Sequence, residues 1–274
     1  MNRPLTVWIA ALVLSFVTSG TSQAQDADRV LKLAEPDFTL VALPTSLNVP
    51  MMKSAFRVTH RFTRPLNCDG CVNSVLGDAF GIDNGAQIGL EYRFGIARNT
   101  QIGIHRTSDK TLAVFGQYMV TRQTGDVPLE TAVFLGTDIT NVGRRDATSE
   151  YSPTIGVILG RLVGSRAAFY VEPIFVHHSN TFNLAGDNST FMVGLGARIR
   201  VRPTVYVTGE FTPRISGYEP GVNQGSIAVE KRAGGHMFQL NISNGLGTTM
   251  GQIARGGPSG NDWHLGFSIT RKFF

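Results

Sequence analysis

The fold is decided by residues 85–94, which run Gly-Ala-Gln-Ile-Gly-Leu-Glu-Tyr-Arg-Phe. Apolar side chains alternate there with polar or small ones. Leu90 and Tyr92 share one face of an extended chain, and Glu91 and Arg93 share the other. This alternation of period two is typical of a β-strand with two unlike faces. The stretch therefore predicts a strand with one apolar and one charged surface.

Eleven further segments of seven to twelve residues show similar alternation, which brings the predicted total to twelve strands. An even number is usual in outer-membrane barrels, because both chain ends then lie on the same side. We predict an all-β fold, a transmembrane antiparallel up-and-down β-barrel of about 12 strands. The other segments lie near residues 56–64, 100–106, 111–122, 129–138, 152–160, 167–177, 189–199, 204–214, 226–232, 235–242 and 262–273.

The connections between these segments alternate in length. Short turns at one end and long loops at the other are the asymmetry expected of an outer-membrane barrel. The connection at 107–110 is an exception, because it is short where a long loop is expected. The short connections are 95–99, 123–128, 161–166, 200–203 and 233–235, and the long ones are 65–84, 139–150, 179–188, 215–225 and 243–261.

The composition favours a membrane barrel. Charged residues make up only 16% of the 274 residues, whereas hydrophobic content is an ordinary 42%, as expected for a barrel with one apolar and one polar face. A soluble periplasmic ligand-binding barrel of the lipocalin kind is the alternative, but such barrels usually have eight strands. The apolar face carries aromatic residues near strand ends, which suit the two bilayer interfaces: Tyr92, Phe94, Phe175, Phe211, Trp263 and Phe273.

The N-terminal residues have the pattern of a secretory signal peptide. Arg3 supplies a positive charge, residues 5–17 are mainly apolar, and Ser22-Gln23-Ala24 forms a small-x-Ala cleavage site. We predict a signal peptide at 1–24, a proline-containing periplasmic extension at 25–50 and the barrel at 51–274. The predicted location is the outer membrane of a Gram-negative cell.

Several motifs resemble those of a family of uncharacterised bacterial outer-membrane β-barrel proteins, a domain of unknown function. They are Phe-Gly-Ile-Asp-Asn-Gly at 80–85, Gly-Leu-Glu-Tyr at 89–92, Glu-Lys-Arg-Ala-Gly-Gly-His-Met-Phe-Gln-Leu at 230–240 and Arg-Lys-Phe at 271–273. The resemblance covers nearly the whole mature chain. It implies the fold and the location but no activity.

Strand alternation places charged residues of both signs on the lumen side of the predicted barrel. One hypothesis is a pore with opposed charged walls, which would orient polar solutes. The alternative is a network of ion pairs that fills a narrow lumen and leaves no open path. The predicted lumen residues are Glu91, Glu130, Glu172, Glu210 and Glu230, with Arg57, Arg61, Arg93, Arg198 and Arg214.

The run Val-His-His-Ser-Asn at 176–180 is similar to the His-x-Ser-Asn element of outer-membrane phospholipase A, and the lipid A deacylase of the outer membrane has a comparable element. The resemblance implies that His177 would activate Ser179. Parity places both on the lipid-facing side. The third residue of such a catalytic group, which would orient the histidine, is left open among Asn183, Asp187 and Asn188. The alternative interpretation of the run is a polar transition from strand to loop without catalysis.

Cys68 and Cys71 lie in the first long loop, and in an exported chain a small loop disulfide is the simplest interpretation. Two cysteines alone make an incomplete metal site, so we expect neither metal nor cofactor. No basic run of five or more occurs, which argues against a nucleic-acid partner.

Three functional hypotheses follow. The first is a small porin-like channel or structural membrane protein of unknown solute. The second is a lipid hydrolase using His177 and Ser179, and the third is the soluble periplasmic barrel. We favour a function without catalysis. The expected partners are outer-membrane lipids and the barrel assembly machinery, for which the terminal aromatic Phe274 is a signal. The oligomeric state stays open.

Overall fold

The structure of the protein, a computed structural model, describes residues 32–66, 85–183 and 188–274. These residues form thirteen strands and one short helix. The strands are β1 Ser54–Pro65, β2 Ala86–Ala97, β3 Thr100–Thr107, β4 Leu112–Thr121, β5 Glu130–Ile139, β6 Tyr151–Val163, β7 Ala167–His177, β8 Ser189–Arg202, β9 Val205–Thr212, β10 Arg214–Ser216, β11 Gln224–Ala233, β12 His236–Ser243 and β13 His264–Phe273, and the helix is α1 Met250–Arg255.

Twelve of the strands close into an antiparallel barrel. Consecutive strands pair from β1 to β9, β9 pairs with β11, and β13 returns to pair with β1. The short strand β10 is an additional strand paired only with β8. Closure gives every strand two neighbours, so the backbone polar groups of the wall are satisfied without a free edge. The predicted fold class and strand number are confirmed.

The barrel is apolar outside and polar inside. Leu90, Val229 and Leu240 point outward and expose 48%, 56% and 58% of their surface. Arg57 and Glu91 point inward and are buried. This arrangement is the reverse of a soluble barrel and gives each strand a face suited to lipid. Within the described ranges, no helix is long and apolar enough to cross a membrane.

The two ends of the barrel differ. Turns 98–99, 122–129, 164–166, 203–204 and 234–235 join strands at one end, which we call the short-turn end. The opposite, long-loop end carries the connections at 140–150, 178–188, 213–223 and 244–263 together with the short turn at 108–111. The exception noted at 107–110 is therefore a real tight turn at the long-loop end.

Residues 32–50, the lumen segment, lie inside the barrel. The sequence predicts a periplasmic extension at 25–50, of which residues 25–31 lie outside the described residues. The segment enters at the short-turn end, where the Met52 amide donates to the Gly95 carbonyl at 2.7 Å. It folds back on itself through a bond from the Leu40 amide to the Leu43 carbonyl at 2.8 Å. It has no strand periodicity because its backbone is bonded by side chains of the wall and not by a neighbouring strand.

Residues 244–263, the cap loop, fold into the barrel from the long-loop end. Met250 and Ile253 of α1 are buried in the same apolar cluster as Leu40 and Leu43 of the lumen segment. Arg61 of β1 donates to the carbonyls of Gly245 and Gly247 at 2.8 and 2.6 Å. The lumen is thus occupied from both ends.

Some sequence predictions fall outside the described residues. These are the signal peptide at 1–24, the cysteines Cys68 and Cys71, and Asp187.

Candidate functional site

The candidate site is the lumen wall together with the segment that it holds. Nine of the ten charged residues predicted to face the lumen are buried inside the barrel: Glu91, Glu130, Glu172, Glu210, Glu230, Arg57, Arg61, Arg93 and Arg198. Arg214 follows β9 on the short strand β10, where it lies opposite the inward Met192 of β8 and is half-buried. Its Nη1 donates to the carbonyls of Tyr218 and Pro220 at the rim.

Glu210 binds the tip of the lumen segment. Its carboxylate accepts the backbone N–H groups of Val41, Ala42 and Leu43 at 2.9 to 3.0 Å. Three successive amides that converge on one anion form a small concave binding site of the kind called a nest. The partners are 167 to 169 positions apart in sequence, and no local signal in the sequence identifies such a contact.

Arg198 and Glu230 form a second anchor. Nε and Nη2 of Arg198 lie 2.8 and 3.0 Å from the two carboxylate oxygens of Glu230, a bidentate pair. Arg198 also donates to the Thr39 carbonyl. The Gln239 amide donates to Glu230 and to the Leu40 carbonyl, both at 2.7 Å. The same wall groups therefore pair with each other and hold the segment's backbone.

The part of the lumen segment nearest the short-turn end binds charged groups. Lys272 Nζ donates to the Pro36 carbonyl and lies 3.5 Å from Asp37 Oδ1. Thr270 donates to Asp37 Oδ2 at 2.9 Å. Lys272 and Thr270 alternate with outward residues of β13, so strand parity could have identified them as lumen residues. Their partners could not be identified from parity.

The part of the lumen segment that follows its tip is bound by two carboxylates, Glu130 of β5 and Glu35 of the segment itself. The Ser46 hydroxyl lies 2.8 Å from an oxygen of each carboxylate. Lys32 pairs with Glu130, and the Tyr170 hydroxyl donates to Glu35 at 2.8 Å. Sequence reasoning missed Glu35 because it treated the segment as external.

Glu91 lies in a cluster of basic side chains. It pairs with Arg93 through a hydrogen bond and with Arg57 at 3.8 Å, and His105 Nδ1 lies 3.6 Å away. Arg57 also donates to the Val41 carbonyl. The cluster therefore links the wall's ion pairs to the segment's tip.

Glu172 has no such support. It is fully buried, and neither carboxylate oxygen has a hydrogen-bond partner in the described part of the chain. It lies on β7 opposite Gly194, beside Leu43 of the lumen segment. A carboxylate in this state is costly to bury unless water reaches it.

A cavity of about 30 Å³ lies between the lumen segment and the cap loop. It is lined by residues that include Ala42, Glu91, His105, Asp138 and Met250. A second cavity of about 10 Å³ lies near Asp37. Because a water molecule needs about 10–15 Å³, these spaces have room for water molecules and not for larger solutes.

The cap loop is fixed by polar contacts with the wall. Asp138 accepts the Gly251 amide at 2.9 Å and also bonds to the Thr249 hydroxyl. The Arg255 guanidinium donates to Thr181 at 3.3 Å. Burial lowers the pKa of Arg255 from its usual value, and Asp138 acts in the opposite direction. These contacts hold the cap loop in one defined conformation against the barrel wall.

The structure does not bring His177 and Ser179 together. His177 is exposed on the lipid-facing side, and its Nδ1 lies 2.9 Å from Ser189 Oγ. Ser179 is fully buried, with Oγ 2.7 Å from Thr190 Oγ1. The strand ends at His177, and His178 adopts a left-handed φ of 52°, so the parity that put Ser179 on the lipid side fails there.

The candidates for the third catalytic residue, Asn183 and Asn188, do not hydrogen-bond to His177 in the described residues. The Asn188 carbonyl accepts the Ser179 amide at 3.0 Å, and the Asn183 amide donates to the Asn180 carbonyl at 3.1 Å. These are backbone contacts of the loop. No hydrogen bond joins His177 to either asparagine within the described residues.

The chain matches several solved outer-membrane proteins at low sequence identity. The NanC porin is 8% identical, with a TM-score of 0.49 over 81% of this chain and 99% of that one. Outer membrane phospholipase A from Escherichia coli is 10% identical, with a TM-score of 0.48 over 88% and 98%. Omp33 of Acinetobacter baumannii is 8% identical, with a TM-score of 0.40 over 84% and 100%.

No curated protein matches the chain. The family comparison is decisive for the class of protein, because residues 38–273 match a family from the lumen segment through to β13. The protein belongs to the family described as Membrane bound beta barrel domain (DUF5777).

Proposed function

We propose that the protein is an outer-membrane channel that is closed by its own lumen segment together with the cap loop, and that it opens when both move out of the lumen. The observation that carries the proposal is how the wall holds the segment. Glu210, Arg198 and Gln239 bind its backbone amides and carbonyls. Without the segment these side chains would line a polar passage that water can fill.

The charged wall favours a channel over a purely structural barrel. A buried ion pair is often no more stabilising than apolar residues of similar volume. A barrel that served only as a membrane scaffold could therefore fill its lumen with apolar side chains. The buried pair Arg198–Glu230 and the unpartnered Glu172 are better explained by a lumen that must also be stable when hydrated.

The membrane-bound family and the outward apolar surface exclude the soluble periplasmic barrel. Twelve strands and the asymmetry of turns and loops support the outer membrane of a Gram-negative cell, with the short-turn end in the periplasm. Outer-membrane lipids and the barrel assembly machinery are the partners that this location supplies.

The test is conductance of the purified protein in planar lipid bilayers. One variant lacks residues 25–50, and a second also replaces residues 246–258 of the cap loop with a short Gly-Ser linker. Boiled and unboiled samples on a detergent gel verify that each barrel is folded. We expect little current from the intact protein and steady current from the doubly opened barrel. A folded, doubly opened barrel that carries no current would refute the channel.

A disulfide can test whether the lumen segment is the gate. A Cβ atom at Gly160 would lie 3.4 Å from Ser46 Cβ, close to the separation that a disulfide requires. The variant Ser46→Cys/Gly160→Cys is made in a cap-trimmed barrel without Cys68 and Cys71. We expect channel openings in the bilayer only after the disulfide has been reduced. The current through each single-cysteine variant should not change when reductant is added. Equal current in both redox states would show that the path bypasses the segment.

A second candidate function is hydrolysis of membrane lipids. The observation that favours it is the 2.9 Å separation of His177 Nδ1 and Ser189 Oγ on the lipid-facing side, since an imidazole so placed can take a serine proton. Phospholipid hydrolysis that is lost in Ser189→Ala and retained in the matched variant Ser179→Ala would establish it. Absence of hydrolysis by the folded wild-type protein would dismiss it.

A further inference from the structure

Exposed charge is distributed unevenly between the two ends of the barrel. At the long-loop end, the exposed charged side chains of the described residues balance: Lys110, Arg144 and Arg145 against Asp109, Asp146 and Glu219. At the short-turn end, Asp126 is the one exposed acidic side chain among the described residues. Eight exposed basic residues lie within three residues of a strand end there, and we call them the basic rim: Lys53, Arg98, Arg122, Arg161, Arg166, Arg202, Lys231 and Arg271.

Part of the basic rim faces sideways, toward the membrane. Strand alternation places Arg161, Lys231 and Arg271 on the outward face of their strands. Each lies two positions from an exposed apolar residue of the same face: Val163, Val229 and Phe273 expose 52%, 56% and 51% of their surface. These three side chains therefore lie where the apolar band ends, at the level of lipid headgroups. Arg122 is exposed directly after the end of β4.

The rim is held in place without being neutralised. Arg122 Nη2 donates to Asn99 Oδ1 at 2.6 Å, and Arg161 Nη1 donates to the Pro128 carbonyl at 3.0 Å. Lys231 Nζ donates to the Thr204 hydroxyl at 2.8 Å. None of the eight residues forms a salt bridge with a carboxylate of the described residues. Eight basic side chains against the one exposed carboxylate of Asp126 leave seven uncompensated positive charges, which are available to bind an external anion.

We propose that the basic rim binds the phosphate groups of anionic phospholipids in the leaflet at the short-turn end. A lipid is the partner that fits, because the three outward side chains Arg161, Lys231 and Arg271 border lipid-exposed apolar residues and not an aqueous groove. Basic side chains close to an anionic membrane surface attract it appreciably and are screened by salt. The binding is independent of whether the lumen conducts.

The experiment uses the full mature protein reconstituted in phosphatidylcholine vesicles with trace spin-labelled lipid. Electron spin resonance measures how strongly labelled phosphatidylglycerol associates with the barrel relative to labelled phosphatidylcholine. The rim variant is Arg122→Gln/Arg161→Gln/Lys231→Gln/Arg271→Gln. The matched control, Lys110→Gln/Arg144→Gln/Arg145→Gln, removes positive charge from the other end. Heat-modifiable gel mobility verifies folding of both.

We expect the wild-type protein to prefer phosphatidylglycerol by about fivefold at low salt, comparable to one basic contact. The preference should fall toward one in the rim variant and in high salt, and it should persist in the control. Equal association of the two lipids with the wild-type protein would overturn the proposal. A preference that survives in the rim variant, or that disappears only in the control, would also overturn it.

Discussion

The Glu210 carboxylate receives the Ala42 backbone N–H on both of its oxygens, at 3.0 and 2.9 Å. The amides on either side bind the same carboxylate. A single acidic side chain in the middle of the barrel thus fixes the tip of the lumen segment by its backbone. The contact does not depend on the identity of the side chains at the tip.

Glu210→Gln should loosen that tip. The amide has one acceptor oxygen in place of two and no charge, and a hydrogen bond to a charged group contributes about 1.5–3 kcal/mol. We expect hydrogen exchange of the amides of Val41, Ala42 and Leu43 to speed up about tenfold or more. Mass spectrometry of the peptide that covers 38–47 measures it. Glu219→Gln, at an exposed carboxylate, is the control and should leave that exchange rate unchanged.

Glu172 and Glu230 should respond oppositely to neutralisation. Glu230→Gln leaves Arg198 buried without its counter-charge, a change that typically costs about 3–5 kcal/mol. Glu172→Gln removes a carboxylate with no partner and should preserve or increase stability. The temperature at which the unboiled band disappears from the gel compares the two. Equal losses of stability would mean that Glu172 has an anchoring role that its contacts do not show.

Gly95→Ala should disturb the point at which the lumen segment enters. A Cβ atom at this position would fall on the Pro50 carbonyl, and backbone cannot move aside as easily as a side-chain tip. We expect faster chymotrypsin cleavage after Phe38 or Leu47 while the barrel stays folded. Gly116→Ala is the matched control, because its Cβ would have 3.7 Å to the nearest atom. Equal cleavage of the two variants would contradict this prediction.

Arg61→Met should release the cap loop and leave the lumen segment in place. The change removes the donors to the Gly245 and Gly247 carbonyls. Hydrogen exchange should rise in residues 244–263 and stay unchanged in residues 38–47. Arg144→Met, at an exposed loop arginine, provides the comparison. A rise in both regions would contradict this prediction and show that the two closures are coupled through the apolar cluster that they share.

Strand positions were predictable because alternation is a local property of the chain. The segment predicted at 167–177 coincides with β7, Ala167–His177. In a closed barrel each strand must satisfy lipid on one face and the lumen on the other, so the periodicity survives whatever the partner strands are. The orientation of the lumen side chains follows from the same rule.

The contacts of the candidate site could not be predicted in this way. Alternation gives no information on residues 32–50, whose position depends on side chains far along the chain, such as Glu210. It also stops at strand ends. Ser179 follows the left-handed His178, and its parity assignment to the lipid-facing side was wrong.

The lumen segment also constrains the order of assembly. Pro36 and Asp37, among the first residues of the described chain, bond to Lys272 and Thr270 of the last strand, 236 and 233 positions away. Contacts of such separation form late, because the intervening chain must be ordered first. A barrel that lacks β13 therefore leaves the segment without its final anchors. Docking of the lumen segment is therefore completed only after β13 has taken its place in the barrel.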